Sequence, residues 1–348
     1  MKKYSLIAVI LFISVFLSGC SLSSTPKLTT TAKAPVSNIL KSIDNGVTWK
    51  VKDKTQDKIN LASVDVISIA CNPYDGATSF VGTLANGILK TDDSGENWSL
   101  LNFPAGKVYG LVIDNMDGRI VYASGVWQGR GKIFKSTNGG FEWNEIFTAP
   151  SDGPLVISLT MSKKDSKVLF ATTSDKQVMK SVDAGVSWKN IYSSQSPVEK
   201  IALDSVNDNL LYFNLANGTI LRSIDGGNTI DESLKDMRSG VNIIETDPSH
   251  ANWVYTAGKF GLFRSKDAGD SWEALKTLGD SNTFPVKALA INQFNSDEII
   301  YGAAQATYKS IDGGINWIPF QLETKNTVSV LKYSSTEANV VYMGLRKK

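Results

Sequence analysis

The sequence predicts an all-β chain folded as a seven-bladed β-propeller of four-stranded blades, with the last blade closed by both termini. Three observations carry this prediction. The pattern Ser/Thr-x-Asp-x-Gly-x-x-Trp occurs seven times, beginning at Ser42, Thr91, Ser136, Ser181, Ser223, Ser265 and Ser310. Its intervals of 49, 45, 45, 42, 42 and 45 residues match one four-stranded blade per repeat. A second, fainter repeat between the copies supplies the remaining strands.

The chain opens with Met1-Lys2-Lys3 and an apolar run from Tyr4 to Leu17, the charged head and short hydrophobic core of a secretory signal. The run is too short for a lasting membrane span. It ends in Leu17-Ser18-Gly19-Cys20, which resembles the bacterial lipobox. The resemblance implies cleavage before Cys20 and its diacylation, so residues 1–19 are expected to be a lipoprotein signal peptide. The protein is then expected to be exported and anchored to the outer face of the cell membrane, or to an outer membrane if one is present. The alternative is an ordinary cleaved signal with Cys20 incidental. Residues 20–37 are rich in Ser, Thr, Lys and Pro, too poor in apolar groups to fold, and read as a disordered tether. The propeller is expected over 38–348.

Each motif copy reads as a tight turn between two strands. The Ser/Thr and Asp oxygens accept backbone N–H groups, and Gly supplies positive φ. The Trp opens the next strand, where its ring covers the turn and its N–H is expected to find a partner. Asn138 replaces the Asp in one copy and Ile230 the Trp in another. A basic residue precedes every copy: Lys41, Lys90, Lys135, Lys180, Arg222, Arg264 and Lys309. Upstream lie short apolar runs such as Gly87-Ile88-Leu89, plausible third strands.

The second repeat is an apolar run, a polar turn, then a few apolar residues including an aromatic. Instances run from Ile67-Ser68-Ile69-Ala70 to Phe80, Leu111-Val112-Ile113 to Tyr122, Ile157-Ser158-Leu159 to Phe170, and Ile201-Ala202-Leu203 to Tyr212. Three more follow: Ile243-Ile244 to Tyr255, Leu289-Ala290-Ile291 to Tyr301, and Val328 to Leu331 before Tyr342. These read as the first and second strands of each blade. The first motif copy lacks a strand pair before it and the last pair lacks a motif after it. Joining them completes the seventh blade and leaves no open edge.

Composition excludes several functions. Removal of Lys2 and Lys3 with the signal leaves 34 basic and 34 acidic side chains, without the basic excess of a nucleic-acid binder. Only Cys71 remains after lipidation, so no internal disulfide forms, and it reads as a small buried hydrophobe. His250 is the only histidine, which leaves a zinc site without ligands. No metal or cofactor is expected, and the ring is expected to be monomeric.

The loops joining second to third strands, and one blade to the next, are where a working face is sought. From the aromatic to the basic residue the interval is 10 residues in the copies ending at Lys90, Lys180 and Arg222, 9 at Arg264 and 8 at Lys309, but 13 from Tyr122 to Lys135. That insert carries Trp127, Gln128 and Arg130, residue types common at binding hot spots. The other reading is a lengthened hairpin whose Trp folds down over the ring. Lys259, Phe260 and Arg238 are further binding candidates, with Lys107, Asp175, Lys176 and the long segment from Lys276 to Pro285.

The motif resembles the Asp-box, or BNR repeat, of bacterial sialidases, sortilins, two-propeller xyloglucanases and photosystem II stability/assembly factors. The resemblance covers residues 38 to 346. It implies that Asp44, Asp93, Asn138, Asp183, Asp225, Asp267 and Asp312 are structural, on the blade periphery and away from the working face. The sialidase arginine triad has no family motif here, among six arginines in all. The xyloglucanase mechanism needs a cleft between two propellers, and sortilins add a cysteine-rich appendage. A single ring of this length with a lipobox is most similar to the assembly factors, which bind partner proteins and bring no catalytic residues to carry over. The expectation is therefore a non-enzymatic scaffold that binds a protein or glycan at the cell envelope. The alternative is a sialidase-like or xyloglucanase-like glycoside hydrolase. A carboxylate pair at the ring's centre would favour the enzyme, and an uncharged, aromatic-rich centre the binder.

Overall fold

The computed structural model describes residues 37–150, 153–231 and 240–347. The expected signal peptide, Cys20, most of the tether and Arg238 lie outside them. Blade 1 comprises Val66–Cys71, Ser79–Thr83, Ile88–Thr91 and Ser99–Leu100, and blade 2 Val108–Ile113, Val121–Trp127, Arg130–Ser136 and Asn144–Thr148. Blade 3 comprises Val156–Met161, Leu169–Thr173, Gln177–Ser181 and Lys189–Ser193, and blade 4 Val198–Leu203, Leu211–Leu215 and Ile220–Ser223. Blade 5 comprises Val241–Thr246, Val254–Gly258, Gly261–Ser265 and Glu273–Leu275, and blade 6 Val286–Ile291, Ile299–Ala303, Ala306–Ser310 and Ile318–Gln321. Blade 7 takes Thr327–Tyr333 and Val341–Arg346 from one end of the chain and Ile39–Ser42 and Lys50–Val51 from the other. Ile39 pairs with Gly344 and Ser42 with Val341, which is the expected closure. The first strands stand side by side around the axis, with that of blade 7 against that of blade 1.

Burial follows from this stacking. Second strands such as Leu169–Thr173 and Leu211–Leu215 are buried along their whole length, whereas the outer strands Lys50–Val51 and Asn144–Thr148 reach solvent. A strand covered on both faces loses polar alternation and reads as a short apolar run. Each fully buried Leu, Ile or Phe there stabilises the fold by ~1.5–3 kcal/mol. Every first strand also carries a bulge just after a buried valine, its opening residue in Val66, Val108, Val156, Val198, Val241 and Val286 and its second in Val328 of blade 7. Bulges increase local twist and re-aim the strand.

The motif turns share one geometry. In the first, Ser42 Oγ donates to Asp44 Oδ1 at 2.7 Å and accepts from Gly46 N at 2.8 Å, while Asp44 Oδ1 accepts from Thr48 N at 2.8 Å. Two consecutive residues are left-handed: Asn45 and Gly46, at φ 59° and 79°. The first of the two is also Ser94, Ala184 or Ala268, but the second is always Gly. Around φ 60° a small residue is tolerated. At the second position a Cβ would also strike the preceding blade, lying 2.4 Å from Ile300 Cδ1 at Gly46 and 2.5 Å from Ile146 Cδ1 at Gly185.

The basic residue before each motif also has a structural role. Lys41, Lys180, Arg222 and Arg264 donate to the carbonyls of Ser94, Gly226, Ala268 and Gly313 at 2.8–2.9 Å. Each acceptor is the first left-handed residue of the next blade's turn. That residue's N–H bonds instead to its own blade, as Ser94 N does to Ala77 O at 2.8 Å and Gly226 N to Asn209 O at 2.9 Å. The turn is thus pinned from two blades. In blade 2 the Tyr122 hydroxyl, 3.3 Å from Ala184 O, makes the bond to the next turn, and Lys135 lies over its ring.

The aromatic of the second repeat pairs across strands with the basic residue, as Phe80 does with Lys90 and Tyr255 with Arg264, but in blade 6 Lys309 faces Ile300 and Tyr301 faces Tyr308. The register in blade 6 is thus one residue away from that of the other blades. One expectation, a partner for each motif Trp N–H, needs correction. The Trp N–H finds a carbonyl only at Trp272, 3.1 Å from Gly269 O. The buried Nε1 of Trp49, Trp98, Trp143, Trp188 and Trp317 has no protein partner, because the ring sits where it packs on the turn glycine. In blade 4, where Ile230 replaces Trp, no fourth strand forms among the described residues, and a single bridge joins Arg222 to Asp231. Cys71 is buried as expected, and burial pushes its thiol pKa up.

Candidate functional site

A third strand has the motif turn at one end and the second-to-third hairpin at the other, so the two sets of loops lie on opposite faces. On the hairpin face, Val121–Trp127 and Arg130–Ser136 are seven residues each, against five for Ser79–Thr83 and Leu169–Thr173 in the adjacent blades. The turn between them is Gln128-Gly129, both left-handed at φ 52° and 75°, the two-residue turn whose twist suits a hairpin. The loop is therefore a longer ladder with a tight tip. A Cβ at Gly129 would meet nothing within 4 Å.

Trp127 and Arg130 are cross-strand partners at this tip and differ in availability. Trp127 is 40% exposed, so it does not fold down over the ring. Arg130 turns inward, and its Nε donates to Ala149 O at 2.8 Å just beyond the outer strand of the same blade. Its guanidinium fastens the hairpin.

Lys259 and Phe260 form the corresponding tip in blade 5, where Lys259 N donates to Gly240 O at 3.2 Å. The structure does not bring them to Trp127, because blades 3 and 4 intervene. It does set them beside the Lys276–Pro285 segment: a Cβ on Gly261 would lie 3.8 Å from Ser281 Oγ. Leu278 and Phe284 in that segment are exposed, as Phe260 is. Of the lesser candidates, Lys107 lies over the Tyr109 ring, Asp175 accepts from Thr173, and Lys176 occupies a left-handed turn position.

Two regions escaped sequence reasoning. The first is the central channel, a cavity of about 560 Å³ walled by the first strands and the residues following them. Its charged wall residues are Lys163, Glu199, Lys200, Glu245 and Lys332, so the centre is neither uncharged nor rich in aromatics. Lys200 is paired with Glu245. A signal existed in the repeat: where other blades place Ala70, Val112, Thr160, Ala202 and Ala290, blades 5 and 7 place Glu245 and Lys332.

The second is on the motif-turn face, a groove of about 670 Å³ between blades 1 and 2. Tyr74, Met116 and Phe141 line it and are all more than half exposed. Lys90 closes its floor, lying over the Phe141 ring and 3.0 Å from Asp92.

Electrostatics divide the two faces. The motif aspartates Asp183, Asp225 and Asp312 are held down at about 2 by hydrogen bonds from Ser187, Thr229 and Asn316, each four residues on. They are acceptors fixed in the charged state, which suits a structural part and not a proton donor. Among the described residues no group of three or more His, Cys, Asp or Glu is placed to hold a metal.

No family model and no curated protein matches the sequence. Solved structures do. A GH74 xyloglucanase from Xanthomonas campestris superposes with a TM-score of 0.66 at 13% identity, over 82% of this chain and 51% of that one. A GH74 enzyme from Niastella koreensis gives 0.66 at 17% identity, over 88% and 52%. YCF48 bound to D1 peptide gives 0.62 at 13% identity, over 81% and 92%. The chain spans about half the length of the GH74 enzymes it matches. Fold alone does not fix chemistry, so at these identities what the comparisons establish is that this chain shares its propeller fold with both kinds of protein.

Proposed function

We propose that this chain is a lipid-anchored, extracytoplasmic propeller that binds a protein or glycan through the face opposite its motif turns. The observation that carries the reading is the projecting blade-2 hairpin, which offers Trp127 to solvent on a ladder braced by Arg130. An indole held on a rigid element provides contact area at small entropic cost. The exposed Phe260, with Leu278 and Phe284 in the segment after it, would add contacts on the far side of the ring. YCF48 bound to D1 peptide lends precedent for a peptide ligand on this fold. The anchor rests on Leu17-Ser18-Gly19-Cys20.

A second reading, glycoside hydrolysis, is favoured by the likeness to GH74 enzymes and by two glutamates in the channel. It asks for a carboxyl group kept protonated to act as acid. Glu245 instead bonds to Lys200, and the carboxylates with displaced pKa values, Glu145 and Glu273 among them, are displaced downward.

The test is paired. Purified protein should leave xyloglucan and sialosides intact, while Trp127→Ala should fold normally and retain less partner from envelope extracts. Turnover of either substrate, lost in Glu199→Gln or Glu245→Gln, would reverse the choice.

A further inference from the structure

We infer that the central channel is a binding site for a small anion, a carboxylate or phosphate group held between Lys163 and Lys332. The site lies apart from the hairpin face and goes beyond the binding role proposed for it.

Lys163 follows the first strand of blade 3, and Lys332 is the penultimate residue of the first strand of blade 7. With three blades between them, the two side chains enter the same cavity from opposite walls. Both are exposed to the water of the channel. Neither ammonium has an ion pair or a hydrogen bond among the described residues, in contrast to Lys200 beside them.

The rest of the wall gives neither lysine an ion pair among the described residues, although Glu245 and Asp208 attract Lys163. Glu245 is already engaged by Lys200. Glu199 sits at the bulge of its strand, toward the hairpin end of the channel, whereas both lysines lie toward the motif-turn end. Asp208, behind the rim, has Oδ2 occupied by Ser162 Oγ and by Lys164 N at 3.0 Å. Tyr333, whose hydroxyl donates to Asn45 Oδ1 at 2.6 Å, adds no charge to the nearby wall, and Tyr109 lies at the hairpin end with Glu199. Positive charge therefore collects at one end of a narrow, protein-walled channel, where fields are focused.

Lys163 is reached by water yet enclosed by protein on every side. That enclosure, with repulsion from Lys332, brings its pKa down to about 8 against the pull of Glu245 and Asp208. An anion between the two ammonium groups would replace lost hydration and cancel the repulsion. The size suits a free phosphate or a small dicarboxylate better than a folded partner.

Inorganic phosphate and succinate titrated calorimetrically into the purified full chain test the site. Saturable binding of either probe is expected, and which probe binds assigns the anion's chemistry. Lys163→Gln and Lys332→Gln should each weaken it about tenfold, the loss of one charge-assisted hydrogen bond, and Glu199→Gln should not weaken it. Affinity should also fall as pH rises through about 8, where Lys163 loses its proton. A second measurement needs no variant: an amine-directed reagent at neutral pH should label Lys163 ahead of surface lysines, and the bound probe should protect it. Absence of saturable binding by both probes, binding unchanged in the two lysine variants, or labelling of Lys163 that neither probe slows would overturn the inference.

Discussion

Lys41 Nζ lies 2.9 Å from the carbonyl oxygen of Ser94. This bond ties the N-terminal strand Ile39–Ser42 of blade 7 to the motif turn of blade 1, beside the closure in which that strand pairs with Val341–Arg346. The same relation recurs from Lys180 to Gly226, Arg222 to Ala268 and Arg264 to Gly313. It gives the basic residue before four of the seven motif copies a physical cause: a flexible cation reaches a carbonyl that a left-handed turn has aimed at the neighbouring blade.

Lys41→Met should therefore loosen the contact between blades 7 and 1. The stem still packs, but Ser94 O loses its donor, at a cost of ~1–3 kcal/mol. Lys135→Met should cost less, because in its blade Tyr122 makes the bond to the next turn. Thermal unfolding of the two variants checks this, and equal losses would show that the bond contributes nothing beyond packing.

Asp312→Ala removes acceptors for Ser310 Oγ and for Asn316 N at 2.9 Å. Stability should fall by ~1–2 kcal/mol, with ligand binding intact once the protein is folded. The pH dependence follows from the sign of the shifts. Asp183, Asp225 and Asp312 are depressed to about 2 in the fold. Their contribution is full above the ordinary aspartate range and is lost as pH falls toward 2. Asn138 does not titrate, so Asn138→Asp should add to the acid sensitivity seen in denaturation curves.

Deleting residues 39–51 removes the two N-terminal strands of blade 7 and exposes the edge of Val341–Arg346. An open, flat edge recruits other chains. Aggregation or a large drop in melting temperature is expected on light scattering and calorimetry. A monomer with unchanged melting would mean that the closure is dispensable.

Cys20→Ala should leave the protein in the soluble fraction or unprocessed if, as proposed, Cys20 carries the anchor. Mass spectrometry of the wild-type N-terminus reads this directly, and an unmodified mature terminus would remove the anchor from the proposal.

The ring was legible in the sequence because its turns are local. A Ser, an Asp and a Gly within five residues satisfy one another wherever the chain goes. What depends on register across strands was not legible. Lys309 faces Ile300, where the other blades set an aromatic opposite the basic residue, and nothing in the repeat marks the shift. Arg130 read as a contact residue because nothing local shows that Ala149 O lies 2.8 Å from its Nε. Glu245 and Lys332 face the channel only because the first strands of all seven blades meet there. The groove of Tyr74, Met116 and Phe141 joins turns of two blades, and no one repeat contains it.

That groove makes the central claim testable by face. Partner binding should be measured by surface plasmon resonance on immobilised wild type, Trp127→Ala and Phe141→Ala, each matched for melting temperature. Trp127 projects from the hairpin face and is 40% exposed, and Phe141 projects from the motif-turn face and is 66% exposed. Binding through the hairpin face predicts a loss of tenfold or more for Trp127→Ala, about 1.4 kcal/mol or greater, and wild-type affinity for Phe141→Ala. The opposite pattern, full affinity in Trp127→Ala and loss in Phe141→Ala, would contradict it and move the working surface to the other side of the ring.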